Sequence, residues 1–596
     1  MSGIVCQSST IDLERLDFIE KVGRTFLGRQ LHKETLSKKN LNASIVSTPN
    51  SSASQAHDDK TGVTILVDGY FVEALGSEQS SAQWFLNIFL ELGLDCLGTL
   101  NGSFNILILE KNSQQIMLVT DRYGTRPLFY KSSPESFTVA YRSEILVNLG
   151  VVPKALNQNM VANTLSHSRI WFGEESFYEG VTSVPAGIIA KWSPYSELEL
   201  KKYQIKTLYE NQKPTIEGLA EVFRDVIKDF SKVPNIGLSL SGGLDSRILL
   251  ASGFSGPTFT WGYQEGNDEI SLAKKCADMS SNPWYFIKLD PSVFLDHSGR
   301  GDIVREGLDL FVQSYALDCY PHVAESGVDG LITGLALDFT MAGSYTPTTE
   351  DEMTLGECID FAFSKIEYFK EEERSNLIHS EEVKKKIESI NSKIIEQITE
   401  NYIKTNGVEA LQIFFTEHRI RRYIFQRQMW QRTYCEDYIP TFDNRIVDYL
   451  ANFSLEERAN HNIFREVLLK LSEDLALIPY QGTNIPPSAP LKFWRHAENI
   501  EAEKEELARN IFYETNGKVF VPYNRYYSNF DEWLRTNADW KSTVRNLLLS
   551  KTSRLNEYLN RDAVEKMIVE QELGKKTHHG KIVVLMSLEK TLRTFH

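Results

Sequence analysis

The sequence predicts a mixed α/β and α+β protein with a β-rich first part, a doubly wound parallel sheet in the second part, and helices at the end. Strand-like apolar runs separated by turn formers dominate the first 200 residues. From residue 235 onward, short apolar runs alternate with helical stretches, which is the order that a parallel sheet with crossover helices produces. After residue 490 the chain carries further amphipathic helical patterns.

In the first part, strands are predicted at residues 63–67, 105–109, 115–119, 136–141 and 188–192. Residues 33–60 are rich in Ser, Asn and Lys, which predicts a mobile surface loop. The chain turns polar over residues 204–214, which indicates a domain boundary. Thr215 then stands where it can cap an amphipathic helix over residues 216–230.

In the second part, parallel strands are predicted at residues 236–240, 258–262, 284–289 and 330–333. Ligands of such sheets bind at the carboxyl ends of the strands, so the loops that follow these runs are the candidate site. Residues 347–405 have the pattern of a charged helical insertion, and residues 407–475 are strongly helical.

Length, composition and charge restrict the class of protein. The 596 residues exceed one ordinary core, and 42% hydrophobic with 24% charged residues is typical of a globular chain. The formal net charge of −16 argues against a nucleic-acid surface and against docking on anionic lipid, since both need a basic face. The six cysteines form no CxxC pair, and no apolar run of about 18 residues is present. We therefore expect a soluble cytoplasmic protein with reduced thiols.

Residues 241–246 read Ser-Gly-Gly-Leu-Asp-Ser and lie between a predicted strand and a predicted helix. Two glycines allow a sharp turn that brings backbone N–H groups close to an anion, and the helix start adds further N–H groups. Ser241 and Ser246 add hydroxyl donors, and Asp245 can hold a magnesium ion against phosphates. No Gly-Lys-Ser/Thr follows, so this is not a Walker loop. The segment predicts a phosphate cradle.

This loop resembles the SGGxDS loop of the ATP pyrophosphatase superfamily, whose members release pyrophosphate and leave AMP on the substrate. Segments 101–104, 121–128, 143–144 and 185–187 look like the glutamine amidotransferase domain of asparagine synthetases. The resemblance to that family spans about residues 1–490. It implies an N-terminal α-β-β-α sandwich of the Ntn type at 1–205, an ATP pyrophosphatase domain at 215–490, and a helical C-terminal extension at 491–596.

The resemblance also implies a nucleotide site. Gly334 and Asp338 look like the family's Gly-Glu-Gly-x-Asp-Glu turn, and residues 259–262 look like the strand whose backbone reads adenine. ATP is then expected to be bound by residues of these segments, namely Leu240, Ser241, Gly242, Gly243, Leu244, Asp245, Ser246, Trp261 and Gly334. Mg²⁺ is expected on Asp245 and Asp338, because two carboxylates with phosphate oxygens suit a hard cation.

The first half departs from the family at the nucleophile. Family members begin Met-Cys-Gly-Ile, whereas this chain carries Ser2 at the catalytic position. A serine hydroxyl ionises far less readily than a thiol, and Cys6 cannot substitute without removal of the residues before it. Asp68 also stands where an amide donor would stabilise an oxyanion. We expect that glutaminase activity is lost and that this domain is a scaffold.

The second half departs at the acceptor and pyrophosphate positions. Leu335 stands where asparagine synthetases carry a glutamate and β-lactam synthetases a tyrosine, and Tyr438 stands at an arginine position. The family's Arg-x-Lys after Ile478-Pro479 is replaced by Tyr480-Gln481-Gly482-Thr483. A cation normally stabilises the departing pyrophosphate, so Arg465, His461 or Lys492 is expected to take that role, with Arg465 preferred.

The expected function is ATP-dependent, AMP- and pyrophosphate-forming amide ligation, in which an adenylated carboxylate is attacked by ammonia or an amine. Three alternatives stay open: a glutamine-hydrolysing asparagine synthetase proper, a β-lactam or peptide macrolactam synthetase, and a non-catalytic ATP-binding relative. The expected partners are a small-molecule carboxylate and an ammonia or amine donor, without nucleic acid or membrane. A homodimer is kept as an option.

Overall fold

Three β-sheets organise the described part of the chain, which in this computed structural model comprises residues 2–8, 32–38, 41–48, 51–110, 114–168, 170–210, 212–341, 345, 347, 353–405, 407–458, 461–523 and 525–595. The strands are Gly3–Gln7 (β1), His32–Lys38 (β2), Leu41–Ser47 (β3), Ser54–Asp58 (β4), Val63–Phe71 (β5), Gly102–Leu109 (β6), Ile116–Thr120 (β7), Phe129–Ser132 (β8), Phe137–Ala140 (β9), Thr182–Ser183 (β10), Ile188–Trp192 (β11), Glu199–Lys202 (β12), Ile236–Ser239 (β13), Thr258–Gly262 (β14), Trp284–Lys288 (β15), Gly330–Ile332 (β16) and Glu436–Tyr438 (β17).

The first two sheets are antiparallel and stack on each other. Their strand orders are β10-β8-β9-β1-β3-β2 and β12-β11-β7-β6-β5-β4. Side chains alternate between the two faces of a strand, so Leu66 and Leu107 pack toward the first sheet, while Ile65 and Ile106 pack with Phe85 of the Ser81–Leu92 helix. The Ser143–Asn148 helix contacts the outer side of the first sheet at β8 and β9. The layers are therefore α-β-β-α, as the sequence predicted.

The third sheet is parallel, with the order β15-β14-β13-β16-β17. The chain fills positions on one side of β13 with β14 and β15, and then crosses to the other side for β16 and β17. The order thus reverses between β13 and β16, and in such sheets a crevice opens at that switch point beyond the carboxyl ends of the strands. The loops that follow β13 and β16 meet there.

Helices surround the sheets and form most of the last third of the chain. The α-helices of the described residues are Ser81–Leu92, Ser143–Asn148, Gln158–His167, Ile216–Phe230, Asp245–Ala251, Asp268–Met279, Arg300–Arg305, Ala316–Glu325, Leu337–Thr340, Leu355–Ile366, Glu371–Leu377, Glu381–Lys404, Gly407–Phe415, Phe425–Arg432, Asn444–Leu450, Leu455–Arg458, Asn462–Leu471, Glu473–Leu477, Leu491–Glu514, Phe530–Thr536, Ala538–Leu548, Arg561–Glu572 and His579–Thr594. A π-helical segment, Thr416–Ile424, joins two of them. Within the described residues, every helix is too short or too polar to cross a lipid bilayer.

Most of the predicted elements are confirmed, and one prediction is wrong. The helix Ile216–Phe230 begins as expected, because the Thr215 hydroxyl accepts a hydrogen bond from the Gly218 N–H at 3.0 Å. The mobile loop predicted at residues 33–60 is instead largely β2, β3 and β4. β3 lies between β1 and β2, so the neighbouring strands bury its polar residues. The composition of this segment therefore did not reveal the strand.

Residues 491–595 pack into the same cores as the sheets. Trp494 is 1% exposed and belongs to the cluster around β13, while Trp533 and Trp540 join the large cluster that also contains strands of the first two sheets. The predicted domain limits stay predictions, but this extension is not an appendage. It contributes side chains that the rest of the chain needs to cover its apolar surface.

Candidate functional site

The 241–246 bend follows β13 directly and is shaped by its own serines. The Ser246 hydroxyl accepts from the Ser241 N–H at 3.1 Å, and the Ser241 hydroxyl accepts from the Gly243 N–H at 3.2 Å. A Cβ on Gly242 would lie 2.9 Å from the Glu269 carbonyl oxygen, so this side of the bend is covered. A Cβ on Gly243 would meet only the Ser241 hydroxyl, at 3.1 Å. The bend is therefore closed on the Gly242 side and open on the Gly243 side.

The two predicted metal ligands come together at the switch point. The turn after β16 lies against the bend so closely that a Cβ on Gly334 would be 2.7 Å from the Ser246 nitrogen and 2.8 Å from the Asp245 Cβ. The Asp338 backbone N–H donates to the Asp245 carboxylate. Only glycine permits this approach, so Gly334 sets the spacing between the two aspartates.

The charges of the two aspartates affect each other. Burial, and next the charge of Asp338, raise the pKa of Asp245 well above its ordinary value of 3.8. The Asp338 charge thus disfavours a second negative charge at Asp245. A divalent cation would relieve this repulsion, and carboxylate oxygens are ligands that Mg²⁺ accepts. The residues present therefore fit a magnesium ion, although no cluster of three potential metal ligands occurs among the described residues.

The other predicted nucleotide-binding residues fall into two groups. Leu240 and Leu244 are 2% and 4% exposed and pack in the core below the bend, so only their backbone can face a ligand. Trp261 is half-buried at the end of β14, with its ring edge-on to Tyr320 at 5.7 Å.

Arg465 is engaged elsewhere. Its Nε donates to the Pro487 carbonyl oxygen at 2.9 Å, another guanidinium nitrogen donates to the Ala489 carbonyl, and the group lies over the Trp494 ring at 5.4 Å. Its predicted catalytic role stays a prediction. The structure gives this arginine a visible task in holding residues 487–489 on the Asn462–Leu471 helix.

Arg247 is a site residue that the sequence reasoning missed. It is fully buried and donates to the carbonyl oxygens of Gly242 at 3.1 Å, Ile478 at 2.7 Å and Pro479 at 2.9 Å. It therefore ties the turn after Pro479 to the bend. A charged residue inside the otherwise apolar run of the Asp245–Ala251 helix was the available signal, because buried arginines need carbonyl or carboxylate partners.

Ser2 lies in a separate and nearly filled cavity. Its hydroxyl donates to the Asp68 carboxylate at 3.1 Å. The cavity has a volume of about 10 Å³, which is room for about one water molecule. Its lining consists of Ser2, Asp68, Arg126, Pro127, Tyr141, Met429 and Arg432. Burial raises the pKa of the Cys6 thiol, so that cysteine offers no exposed nucleophile in its place.

Arg126 bridges this cavity to the parallel sheet. One guanidinium nitrogen donates to Asp68 at 3.0 Å and another to Glu436, the first residue of β17, at 2.5 Å. The other Glu436 oxygen accepts from the Ser52 N–H at 2.8 Å and hydroxyl at 2.6 Å. Burial opposes ionisation, but the Arg126 charge and the Ser52 hydrogen bonds lower the pKa of Glu436 to about 2. This network joins the first sandwich to the edge of the third sheet.

Comparison with known proteins gives one family model and several distant relatives. Residues 75–204 match a model described as a glutamine amidotransferase domain. The glutamine-hydrolyzing asparagine synthetase 2 of Bacillus subtilis is 26% identical over 28% of this chain and 25% of its own length. An asparagine synthetase relative from Methanocaldococcus jannaschii is 25% identical over 35% of this chain and 44% of its own length.

These comparisons support an assignment of the chain to the asparagine synthetase family. A protein named amidase chry2, from Gibberella zeae, is also similar, at 24% identity over 39% of this chain and 40% of its own length. The chain thus spans less than half the length of each of these three relatives.

The residues that depart from the family pattern have structural tasks in this fold. Leu335 is half-buried against the large hydrophobic cluster, and its carbonyl oxygen accepts from the Thr441 hydroxyl at 2.7 Å. Tyr438 is 8% exposed, with its ring 4.8 Å from that of Tyr70. Both positions are therefore part of the packing between sheets, and neither presents a charged group to the crevice.

Proposed function

We propose that the chain is an ATP-dependent, AMP-forming carbon-nitrogen ligase. A substrate carboxylate would attack the α-phosphorus of ATP, forming an acyl-adenylate and releasing pyrophosphate. An amine or ammonia would then attack the acyl carbon, forming the amide and releasing AMP. The observation that carries this proposal is the meeting of Asp245 and Asp338 beside an open glycine bend at the switch point of a parallel sheet.

The residues of the bend would bind the two outgoing phosphates. The Gly243 side of the bend is open, so its backbone amides can face phosphate oxygens. Ser241 and Ser246 hold the bend in shape through their mutual hydrogen bonds. Asp245 and Asp338 would hold Mg²⁺, which when bound supplies the positive charge that stabilises the leaving pyrophosphate.

The nitrogen donor is proposed to be free ammonia or an amine rather than glutamine. A serine nucleophile needs a base, and the Ser2 hydroxyl donates to a carboxylate that already accepts from Arg126. The cavity beside Ser2 has room for about one water molecule, whereas a glutamine side chain has five heavy atoms beyond its Cα. This geometry supports the loss of glutaminase activity.

The test is pyrophosphate release from ATP and Mg²⁺ by the whole chain, screened against aspartate, amino-acid derivatives, uronic acids and peptides. Asp245→Asn and Asp338→Asn are expected to lower release by at least about 100-fold, since each removes a metal ligand. Asp329→Asn is the matched control, because Asp329 lies near the opposite end of β16, where its carboxylate accepts a hydrogen bond from the Asn235 side chain at 3.0 Å. Its release rate is expected to stay within about twofold of that of the unmodified chain.

Release that is unchanged in Asp245→Asn would contradict the assignment. A parallel assay measures glutamate formed from glutamine alone, where little or none is expected. Rapid turnover that disappears in Ser2→Ala would instead restore the glutamine-hydrolysing alternative.

A further inference from the structure

The C-terminal extension reaches the surroundings of the 241–246 bend through residues 525–527. The Arg525 carbonyl accepts from the Glu269 N–H at 3.2 Å, and the Tyr527 N–H donates to the Glu269 carboxylate at 2.9 Å. The Tyr526 carbonyl accepts from the Asn267 side chain at 2.7 Å. This segment therefore runs across the start of the Asp268–Met279 helix, beyond the carboxyl end of β14.

Arg525 closes a ring of contacts around Gly242. Its Nε donates to the Gln481 carbonyl oxygen at 2.6 Å, and another guanidinium nitrogen donates to the Gly482 carbonyl. Gln481 in turn lies on the bend, with its N–H bonded to the Gly242 carbonyl at 3.4 Å. Glu269 lies against the same Cβ position of Gly242 as the Gln481 side chain, so Arg525 touches both of the residues that cover this glycine.

The Gln481 side chain faces the bend, and its amide oxygen has no hydrogen-bond partner among the described residues. Its Oε1 lies 3.1 Å from the position that a Cβ on Gly242 would take, and this buried oxygen has no hydrogen-bond partner. A carboxamide carries two N–H donors on its other end and can turn them toward a phosphate oxygen. Because no hydrogen bond holds Oε1 in its place, the carboxamide can rotate and direct its N–H donors toward such an oxygen.

Arg525 also brings positive charge to this side of the loop. It is 7% exposed, and no ion pair joins it to a carboxylate in the part of the chain that the structure describes. A buried guanidinium favours an anion nearby, and the Arg525 charge favours the ionised forms of both Glu501 and Glu505. After Pro479, where the resemblance implies an Arg-x-Lys segment, this chain has Tyr480, Gln481, Gly482 and Thr483.

We propose that Gln481 contacts the pyrophosphate group and that Arg525 is a positioning residue that holds Gln481 on the bend and supplies nearby positive charge. The C-terminal extension is then part of the nucleotide site. This inference rests on the proposed ATP-dependent function and assigns to two residues of this chain the task of the missing Arg-x-Lys pair.

The experiment measures binding of inorganic pyrophosphate with Mg²⁺, and separately of AMP, to the whole chain by calorimetry. Gln481→Ala removes the proposed contact to pyrophosphate, and Arg525→Met removes the support of Gln481 and the nearby positive charge, so each is expected to weaken pyrophosphate binding by at least about tenfold. AMP lacks the pyrophosphate group, so its affinity is expected to change less than about twofold. Arg525→Lys keeps the charge and is expected to restore part of the loss.

Arg535→Met is the matched control. Arg535 lies in the same extension with the same 7% exposure, but its charge is paired with Asp531 at 2.7 Å. Its substitution is expected to leave both affinities unchanged. Gln481→Ala removes no buried charge, so it keeps the test decisive if Arg525→Met does not fold.

Each other outcome overturns the inference. The inference is overturned if Arg525→Met and Gln481→Ala both keep a pyrophosphate affinity within about twofold of that of the unmodified chain. If Asp245→Asn still abolishes binding in that case, the ligase proposal stands. Equal losses for pyrophosphate and AMP would show that Arg525 supports the fold only. Absence of any pyrophosphate or ATP binding by the unmodified chain would overturn the inference and the ligase proposal together.

Discussion

Buried arginines hold the functional regions of this protein together. Arg247 and Arg525 donate to backbone carbonyls around the 241–246 bend, and Arg126 donates to two carboxylates from different sheets. A guanidinium has five N–H donors in a planar group, so a single side chain can satisfy several acceptors that would otherwise be buried without partners.

Loss of Arg126 is expected to destabilise the fold strongly. Arg126→Met leaves the Asp68 and Glu436 carboxylates buried without their cation, which lowers the free energy of unfolding by about 3–5 kcal/mol. Urea denaturation of the whole chain measures this. The control is Arg300→Met, because the Arg300–Asp318 pair is solvent-exposed and its loss is expected to change stability by less than about 1 kcal/mol. Equal stabilities of the two variants would contradict the prediction.

Glu269 is expected to make stability depend on pH. Burial raises its pKa from 4.5 to about 7, so between these values the folded protein keeps a proton that the unfolded chain has released. The free energy of unfolding therefore falls as pH rises through this window and is level above it. Glu269→Gln removes this contribution, which we expect to amount to roughly 1–3 kcal/mol between about pH 5 and about pH 8. The prediction would be refuted if the free energies of unfolding of Glu269→Gln and the unmodified chain differed by the same amount at both pH values.

Individual site residues could be predicted from the sequence only where they lay within a short motif. Asp245 and the glycines of the bend were found because strand, turn and helix follow each other directly in the sequence. Gln481 and Arg525 were not found, because 239 residues or more separate them from Gly242 and their contacts are to backbone atoms. Arg465 was selected as a cation near the expected site, yet its donors are used by carbonyl groups.

At the level of elements, the site depends on two turns that pack against each other. The bend after β13 and the turn after β16 are adjacent because β13 and β16 pair in parallel register. Gly334 lies at the contact, and its missing side chain allows the backbones to approach. The distance between Asp245 and Asp338 therefore follows from strand pairing and one glycine.

Gly334→Ala is expected to separate these turns. The added methyl would be 2.7 Å from the Ser246 nitrogen and 2.8 Å from Asp245 atoms, and neither backbone can yield without movement of its strand. We expect a destabilisation of about 1–3 kcal/mol together with a loss of Mg²⁺-pyrophosphate binding. The control is Gly356→Ala, since a Cβ there meets no atom within 4 Å and alanine favours the Leu355–Ile366 helix. Normal binding by Gly334→Ala would disprove the role of this contact.

The sequence predicted long strands and capped helices well and short buried strands poorly. β5, β6 and β11 carry continuous apolar runs, and Thr215 caps its helix with a side-chain hydrogen bond. The three residues of β17 cannot be distinguished from a loop by periodicity. Its position next to β16 is decided by contacts with the rest of the sheet.

For the molecule as a whole, the C-terminal extension is part of the folded unit. Trp494 stacks on Tyr480 at 5.2 Å, and Arg305 donates to Ser587 and Thr591 of the last helix at 3.1 and 2.9 Å. Removal of the extension would expose both hydrophobic clusters and take two hydrogen-bond acceptors from the buried Arg305, which would keep only Asp302 as a partner among the described residues.

A chain that ends at residue 490 is therefore expected not to unfold cooperatively, or not to stay in solution. Thermal unfolding followed by circular dichroism measures this, with the full chain as reference. Co-expression with residues 491–596 as a separate piece is the control and is expected to recover a cooperative transition. A truncated chain with the same unfolding midpoint as the full chain would show that the extension is separable.

The sequence by itself determined most of the strands and helices, the glycine-rich bend at 241–246 between a strand and a helix, and the absence of a thiol at position 2, because each depends on neighbouring residues. The tertiary structure decided which distant segments meet. It joined Asp338 to Asp245, Arg126 to Glu436 and Arg525 to Gln481, and it filled the cavity beside Ser2. These contacts depend on strand order and on where buried charges find partners, and neither is readable from local periodicity.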